Sequence, residues 1–133
     1  MYVAIDNIFK RKVRFVSKYS TFTLSNKISS SIFLKLCALS IMIKKDEPVY
    51  GREILAYIED FNTSWKPSHG TLYPILATMI EDGLISSTYE CDHRKYYEIT
   101  EKGKQYYSET SKEVKKTLAD TAKFYRAMSK ELY

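Results

Sequence analysis

Hydrophobic and polar positions change period several times along this chain, and each change predicts an element. From Ile32 to Lys45 the residues are apolar on nearly every side, the composition of a central, mostly buried helix. Ser29, Ser30 and Ser31 supply N-cap candidates, and Asp46-Glu47-Pro48 supplies a break. Tyr50, Ile54, Tyr57, Ile58 and Phe61 then recur at steps of four, three, one and three, one face of a second helix. After a loop from Asn62 to Pro67, Leu72, Ile75, Leu76, Met79 and Ile80 mark a third helix, with Gly83 as its stop. Leu84 to Thr100 turns β-like, with Ile85, Thr88, Tyr89, Tyr96, Tyr97 and Ile99 divided by the polar cluster Cys91-Asp92-His93-Arg94, which predicts a hairpin.

Thr100 is placed to cap a closing helix from Glu101 to Leu132, in which Gly103 is a weak point. Tyr107, Val114, Thr121 and Met128 repeat every seven residues along it, and Ser111, Leu118, Tyr125 and Leu132 form a second row offset by four. Such a seam packs helix against helix. It either covers its own domain or pairs with a second copy. The second is expected, because a compact three-helix domain has little surface left to bury so long a helix. The dimerisation candidates are Tyr107, Val114, Leu118, Tyr125, Met128 and Leu132.

The predicted fold is therefore mainly α with a small β-hairpin (α+β), a winged helix-turn-helix domain with a long C-terminal dimerisation helix. Its expected boundaries are a basic N-terminal arm or short helix at 1–28, the winged helix-turn-helix domain at 29–103 and the C-terminal helix at 104–133. A length of 133 residues suits one compact domain with such extensions. The richest apolar stretch, Ile32 to Ile43, falls short of a membrane span and is interrupted by Lys35 and Ser40. Lys10-Arg11-Lys12 and Arg14 precede no uninterrupted apolar run, so a secretory signal is rejected and a cytoplasmic location expected.

Charge changes this picture in one respect. The net charge is +5, yet residues 1–28 carry six bases against Asp6, which accounts for all of it; the other 105 residues hold fifteen bases and fifteen acids. A domain that binds DNA must then do so through a local patch.

The most informative stretch is Trp65-Lys66-Pro67-Ser68-His69-Gly70-Thr71-Leu72-Tyr73-Pro74-Ile75-Leu76. With Leu72 facing the core, about 100° per residue turns Gly70, Thr71, Pro74, Ala77, Thr78 and Glu81 outward and leaves Tyr73 on the flank. Small and hydroxylic residues let a helix enter a major groove closely and reach phosphates or base edges. Its free N–H groups suit a phosphate. Pro74 presses on the Gly70 carbonyl, so either Gly70 absorbs the distortion or the helix starts near Thr71.

Four blocks in order, Val49-Tyr50-Gly51-Arg52-Glu53-Ile54, the stretch above, Glu81-Asp82-Gly83-Leu84-Ile85 and Lys95-Tyr96-Tyr97-Glu98-Ile99-Thr100-Glu101-Lys102-Gly103, resemble the PadR family of regulators over roughly residues 30–105. The resemblance implies a dimeric winged-helix repressor of detoxification, efflux or regulatory genes on an inverted-repeat operator. It implies groove entry by Ser68 to Tyr73 and backbone contacts by Tyr50 and the wing tip. The DNA-contact candidates are accordingly Tyr50, Lys66, Ser68, His69, Gly70, Thr71, Tyr73, His93, Arg94 and Lys95. Bland roles stand beside these: capping for Ser68, partial burial for Tyr50, a solvated turn for His93 to Lys95. Some family members sandwich flat drugs between tryptophans at the dimer interface. Trp65, the sole tryptophan, lies in the DNA-reading block and is expected to anchor the turn, so that sensing route does not carry over.

Cys37 and Cys91 belong to no metal-spaced cluster, and both are expected as reduced thiols, with no metal and no cofactor. Two histidines without a phosphate loop or metal ligands offer an enzyme nothing to build on. The partners expected are double-stranded DNA and a second copy, with any small-molecule effector unknown. The alternative is a winged helix that serves protein interaction or ligand sensing without reading DNA sequence.

Overall fold

The computed structural model describes residues 29–61 and 66–132, except the Phe61 side chain. The expected basic arm at 1–28 and the Trp65 anchor lie outside the described residues. In chain order the elements are α1 (Ser30–Lys45), β1 (Val49–Tyr50), α2 (Gly51–Phe61), α3 (His69–Glu81), β2 (Ile85–Cys91), β3 (Arg94–Ile99) and α4 (Glu101–Glu131). This is the α+β winged-helix architecture that the periodicity predicts. The chain forms two compact units, Ser30–Glu113 and a second to which Val114–Tyr133 belongs, so the division falls within α4.

The first unit has one core. Leu34, Ala38, Leu39, Ile41 and Met42 of α1 are buried with Ile54, Leu55 and Ile58 of α2 and Leu72, Leu76 and Met79 of α3. Each large aliphatic side chain so placed contributes roughly 1.5–3 kcal/mol of transfer free energy. Tyr57 stands at the edge of α2, where its hydroxyl is 2.9 Å from Ser40 Oγ and accepts from Lys44 Nζ at 2.8 Å. A polar rim thus closes the α1–α2 contact.

The hairpin pattern did not reveal a third strand. Tyr50, placed by periodicity at the head of a helix, instead pairs antiparallel with Tyr96, and Val49 before it with Tyr97, giving the sheet order β1-β3-β2. Val49 and Tyr97 are both buried, so the pairing seals the sheet onto the core. Two residues are too few for an alternation to show in sequence. α2 then starts cleanly because Glu53 Oε1 accepts the Tyr50 N–H at 3.0 Å, half of a capping box.

Both ends of α3 are locally encoded. Ser68, extended at φ −96° and ψ 168°, accepts the Thr71 N–H on its side chain. At the other end Gly83 has φ +79°. There Leu84 N–H bonds Met79 O at 2.9 Å and Gly83 N–H bonds Ile80 O at 3.0 Å, a Schellman stop. Pro74 is accommodated inside a helix that starts at His69, ahead of Thr71.

The hairpin turns at Asp92 and His93, whose φ values of 54° and 65° are those of a two-residue type I′ turn. At the sheet's base Thr100 joins three elements. Its hydroxyl lies 2.6 Å from Gly83 O and 3.0 Å from Leu84 O, and accepts the Gly103 N–H at 3.0 Å as cap of α4.

In the second unit, Leu118, Tyr125, Met128 and Leu132 are exposed at the seam spacing, whereas Val114 is only 8% exposed. In the first unit, Tyr107 packs against the chain's own core. Ser111 Oγ donates to Tyr107 O at 2.6 Å, so this polar seam residue is satisfied within its own helix.

Candidate nucleic-acid interface

The fold brings the outer flank of α3, the start of α2 and the wing tip around one open cleft of about 580 Å³. From α3 come His69, Tyr73, Ala77 and Ile80; from the β1–α2 junction Tyr50, Gly51 and Arg52. The wing supplies His93, Arg94, Lys95 and Tyr97. Among the described residues lining the cleft none is acidic, while three are permanent cations, Arg52, Arg94 and Lys95. A charge-balanced domain has therefore collected a positive patch, as a polyanion surface requires.

Each wall has a local cause. His69 and Tyr73, one turn apart, stack with ring centroids 5.3 Å apart at 18°. Tyr73 can lie over the start of α2 because residue 51 is glycine: a Cβ there would come within 2.9 Å of the Tyr73 hydroxyl. Burial, with Tyr73 beside it, raises the Tyr97 phenol above its ordinary value, so this hydroxyl stays protonated at the cleft floor. Lys95 Nζ lies 5.9 Å from the Tyr97 ring centroid, and Arg94 Cζ lies 4.6 Å from that of Tyr50.

Six of the ten candidates, Tyr50, His69, Tyr73, His93, Arg94 and Lys95, line this cleft together. Ser68 caps α3 and borders a smaller hollow of about 360 Å³ with Arg52, Pro67 and His69. Lys66, Gly70 and Thr71 line neither, but are exposed at the leading end of α3. The outward positions Pro74, Ala77, Thr78 and Glu81 are exposed as the periodicity predicts. A Cβ on Gly70 would meet only Ser68 Oγ, at 3.6 Å, so packing within the chain does not demand glycine there.

Sequence reading missed Arg52, which borders both hollows. A signal was present. A cation in the first turn of a helix opposes the helix dipole, and its neighbour Glu53 is turned away to the Tyr50 N–H and an ion pair with Lys45. Among the described residues, no group of three or more His, Cys, Asp or Glu side chains is placed to hold a metal ion. No helix there is long and apolar enough to cross a membrane.

Three helices, a three-stranded sheet and a cleft between helix and wing define a winged helix-turn-helix protein. The chain belongs to the PadR-like family of transcriptional regulators, whose family model matches residues 39–109, and with it to the DNA-binding transcription regulators. It is similar to the solved structure of a transcriptional regulator from Clostridium thermocellum, at 30% identity and TM-score 0.61, over 73% of this chain and 97% of that one. It also resembles a PadR-like transcription factor from Bacteroides fragilis, at 28% identity and TM-score 0.56, over 72% and 92% of the two chains. A regulator structure from Thermoplasma acidophilum, at 21% identity and TM-score 0.61 over 82% and 99%, shares the fold. Among curated proteins, none matches the chain.

Proposed function

We propose that the protein is a sequence-specific repressor that binds an inverted-repeat operator as a homodimer. The cleft carries this reading: the α3 edge of His69, Tyr73, Ala77 and Ile80 faces a basic wing, and the lining of described residues includes Arg52, Arg94 and Lys95 but no acid. Gly70, Thr71 and Pro74 are small and exposed, so α3 can enter a major groove about 12 Å wide without a bulky obstacle. The free N–H groups at its start favour a phosphate. Arg52, Arg94 and Lys95 supply further phosphate contacts, which position without specifying. Dimerisation is supported by the exposed row of Leu118, Tyr125, Met128 and Leu132, and a two-fold dimer matches an inverted repeat. The family resemblance supports repression rather than activation.

Selection of bound duplexes from a random pool tests the reading. An inverted repeat is expected to be enriched, with affinity falling steeply as salt rises. Thr71→Glu should weaken binding at least tenfold while leaving the thermal melt unchanged. A pool without enrichment, or a Thr71→Glu variant that binds like the parent, overturns it and favours a protein-interaction module.

A further inference from the structure

The wing tip carries three basic residues in a row, and the sheet treats one of them differently. Pairing of β2 with β3 runs Ser86 to Glu98 and Ser87 to Tyr97, then resumes as Glu90 to Lys95 and Cys91 to Arg94. One extra residue is therefore accommodated at Thr88 and Tyr89, opposite Tyr96. Without that bulge Tyr89 would pair with Lys95, on the sheet face that carries buried Tyr97; with it Tyr89 stands against Tyr96 on the other face. The two rings stack at 4.7 Å and 12°. Tyr50, the cross-strand partner of Tyr96, adds its ring at 5.3 Å and 58°. The bulge leaves the buried Thr88 hydroxyl without a hydrogen-bond partner among the described residues.

This row of rings ends at Arg94, whose guanidinium lies over Tyr50. The Tyr96 side chain, then Tyr50, holds it protonated even more firmly than usual. Planar guanidinium stacks on aromatic faces and keeps its donors in a fixed fork, which a lysine ammonium cannot match. His93, by contrast, sits in the turn itself at φ 65°.

We propose that Tyr50, Tyr96 and Tyr89, aligned by the Thr88 bulge, form a cradle that pre-organises Arg94 as the wing's fixed clamp on a DNA backbone phosphate. Tyr96 and Tyr89 are positioning residues; Arg94 makes the contact. Ordering a long side chain before binding removes part of the entropic penalty of the complex. The proposal rests on the DNA-binding reading above, and its test separates the two.

In the free, full-length protein, the heteronuclear NOE of Arg94 Nε is expected to approach backbone values, and to collapse in Tyr96→Leu. A mobile Arg94 in the parent overturns the cradle whether or not DNA binds. On the selected duplex, Arg94→Ala and Tyr96→Leu should each weaken binding about 5–10-fold and lower the salt slope by about 0.9 per bound subunit. The double variant should bind no more weakly than Arg94→Ala alone, because Tyr96 acts through Arg94. Effects that multiply in the double variant, or a Tyr96→Leu variant with parental affinity and slope, also overturn it. A rigid Arg94 in a protein that enriches no duplex would sustain the cradle and defeat only the DNA reading.

Discussion

A Cβ placed on Gly103 would sit 2.1 Å from the carbonyl oxygen of Leu84. The first turn of α4 therefore lies directly on the backbone at the base of the wing, where Thr100 also bonds the Gly83 and Leu84 carbonyls. What looked in sequence like a weak point in a helix is the residue that permits this close approach.

Gly103→Ala is accordingly expected to destabilise. Helix propensity favours alanine by about 1 kcal/mol, but overlap with a backbone atom cannot be relieved by a rotamer change and costs about 1–3 kcal/mol or more. Urea unfolding should show a lower midpoint than the parent.

Gly70→Ala should do the reverse. Its Cβ would meet only an ordinary contact with Ser68, so stability is expected to rise by up to about 1 kcal/mol. Operator affinity should nevertheless fall, because the added methyl stands at the exposed leading end of α3. A calorimetric melt and a binding titration on the same preparation separate the two effects.

Lysine at both Leu118 and Tyr125 tests the seam. These side chains are exposed at a spacing of seven, so the variant should remain folded but sediment as a monomer, and bind a full operator at least tenfold more weakly. A persistent dimer in the ultracentrifuge would refute pairing through this row.

The two thiols should behave differently. Burial pushes Cys37 up to about 11 from 9.0, against a smaller opposing pull from Lys44, whereas Cys91 is exposed on the wing. At pH 8 an alkylating reagent should label Cys91 first, since the rise from 9.0 to about 11 lowers the Cys37 thiolate fraction about a hundredfold. A pKa raised by folding means that the native state holds the proton longer. The associated stability is therefore complete below pH 9 and lost as pH climbs toward about 11. Comparison with Cys37→Ala across that window isolates this contribution.

Much of the fold was legible in the chain. The long apolar periods of α1, α2 and α3 encode which faces are buried, and Ser68, Gly83 and Thr100 are local signals whose hydrogen bonds lie where their chemistry predicts. The outward face of α3 followed from helical geometry alone. The family resemblance rested on the same local blocks.

Tertiary structure decided what depends on neighbours distant in sequence. Strand β1 is two residues long and exists because Tyr96 and Tyr97 offer it an edge. Arg52 joined the cleft only when the start of α2 met the wing, and the need for glycine at 103 arose only when α4 met Leu84. The tyrosine row required a one-residue slip in pairing that no periodicity records. Sequence determined the helices, the hairpin and their buried faces, because those follow from near-neighbour spacing. Structure alone determined which exposed residues gather into one positive cleft, because that depends on through-space approach between segments tens of residues apart.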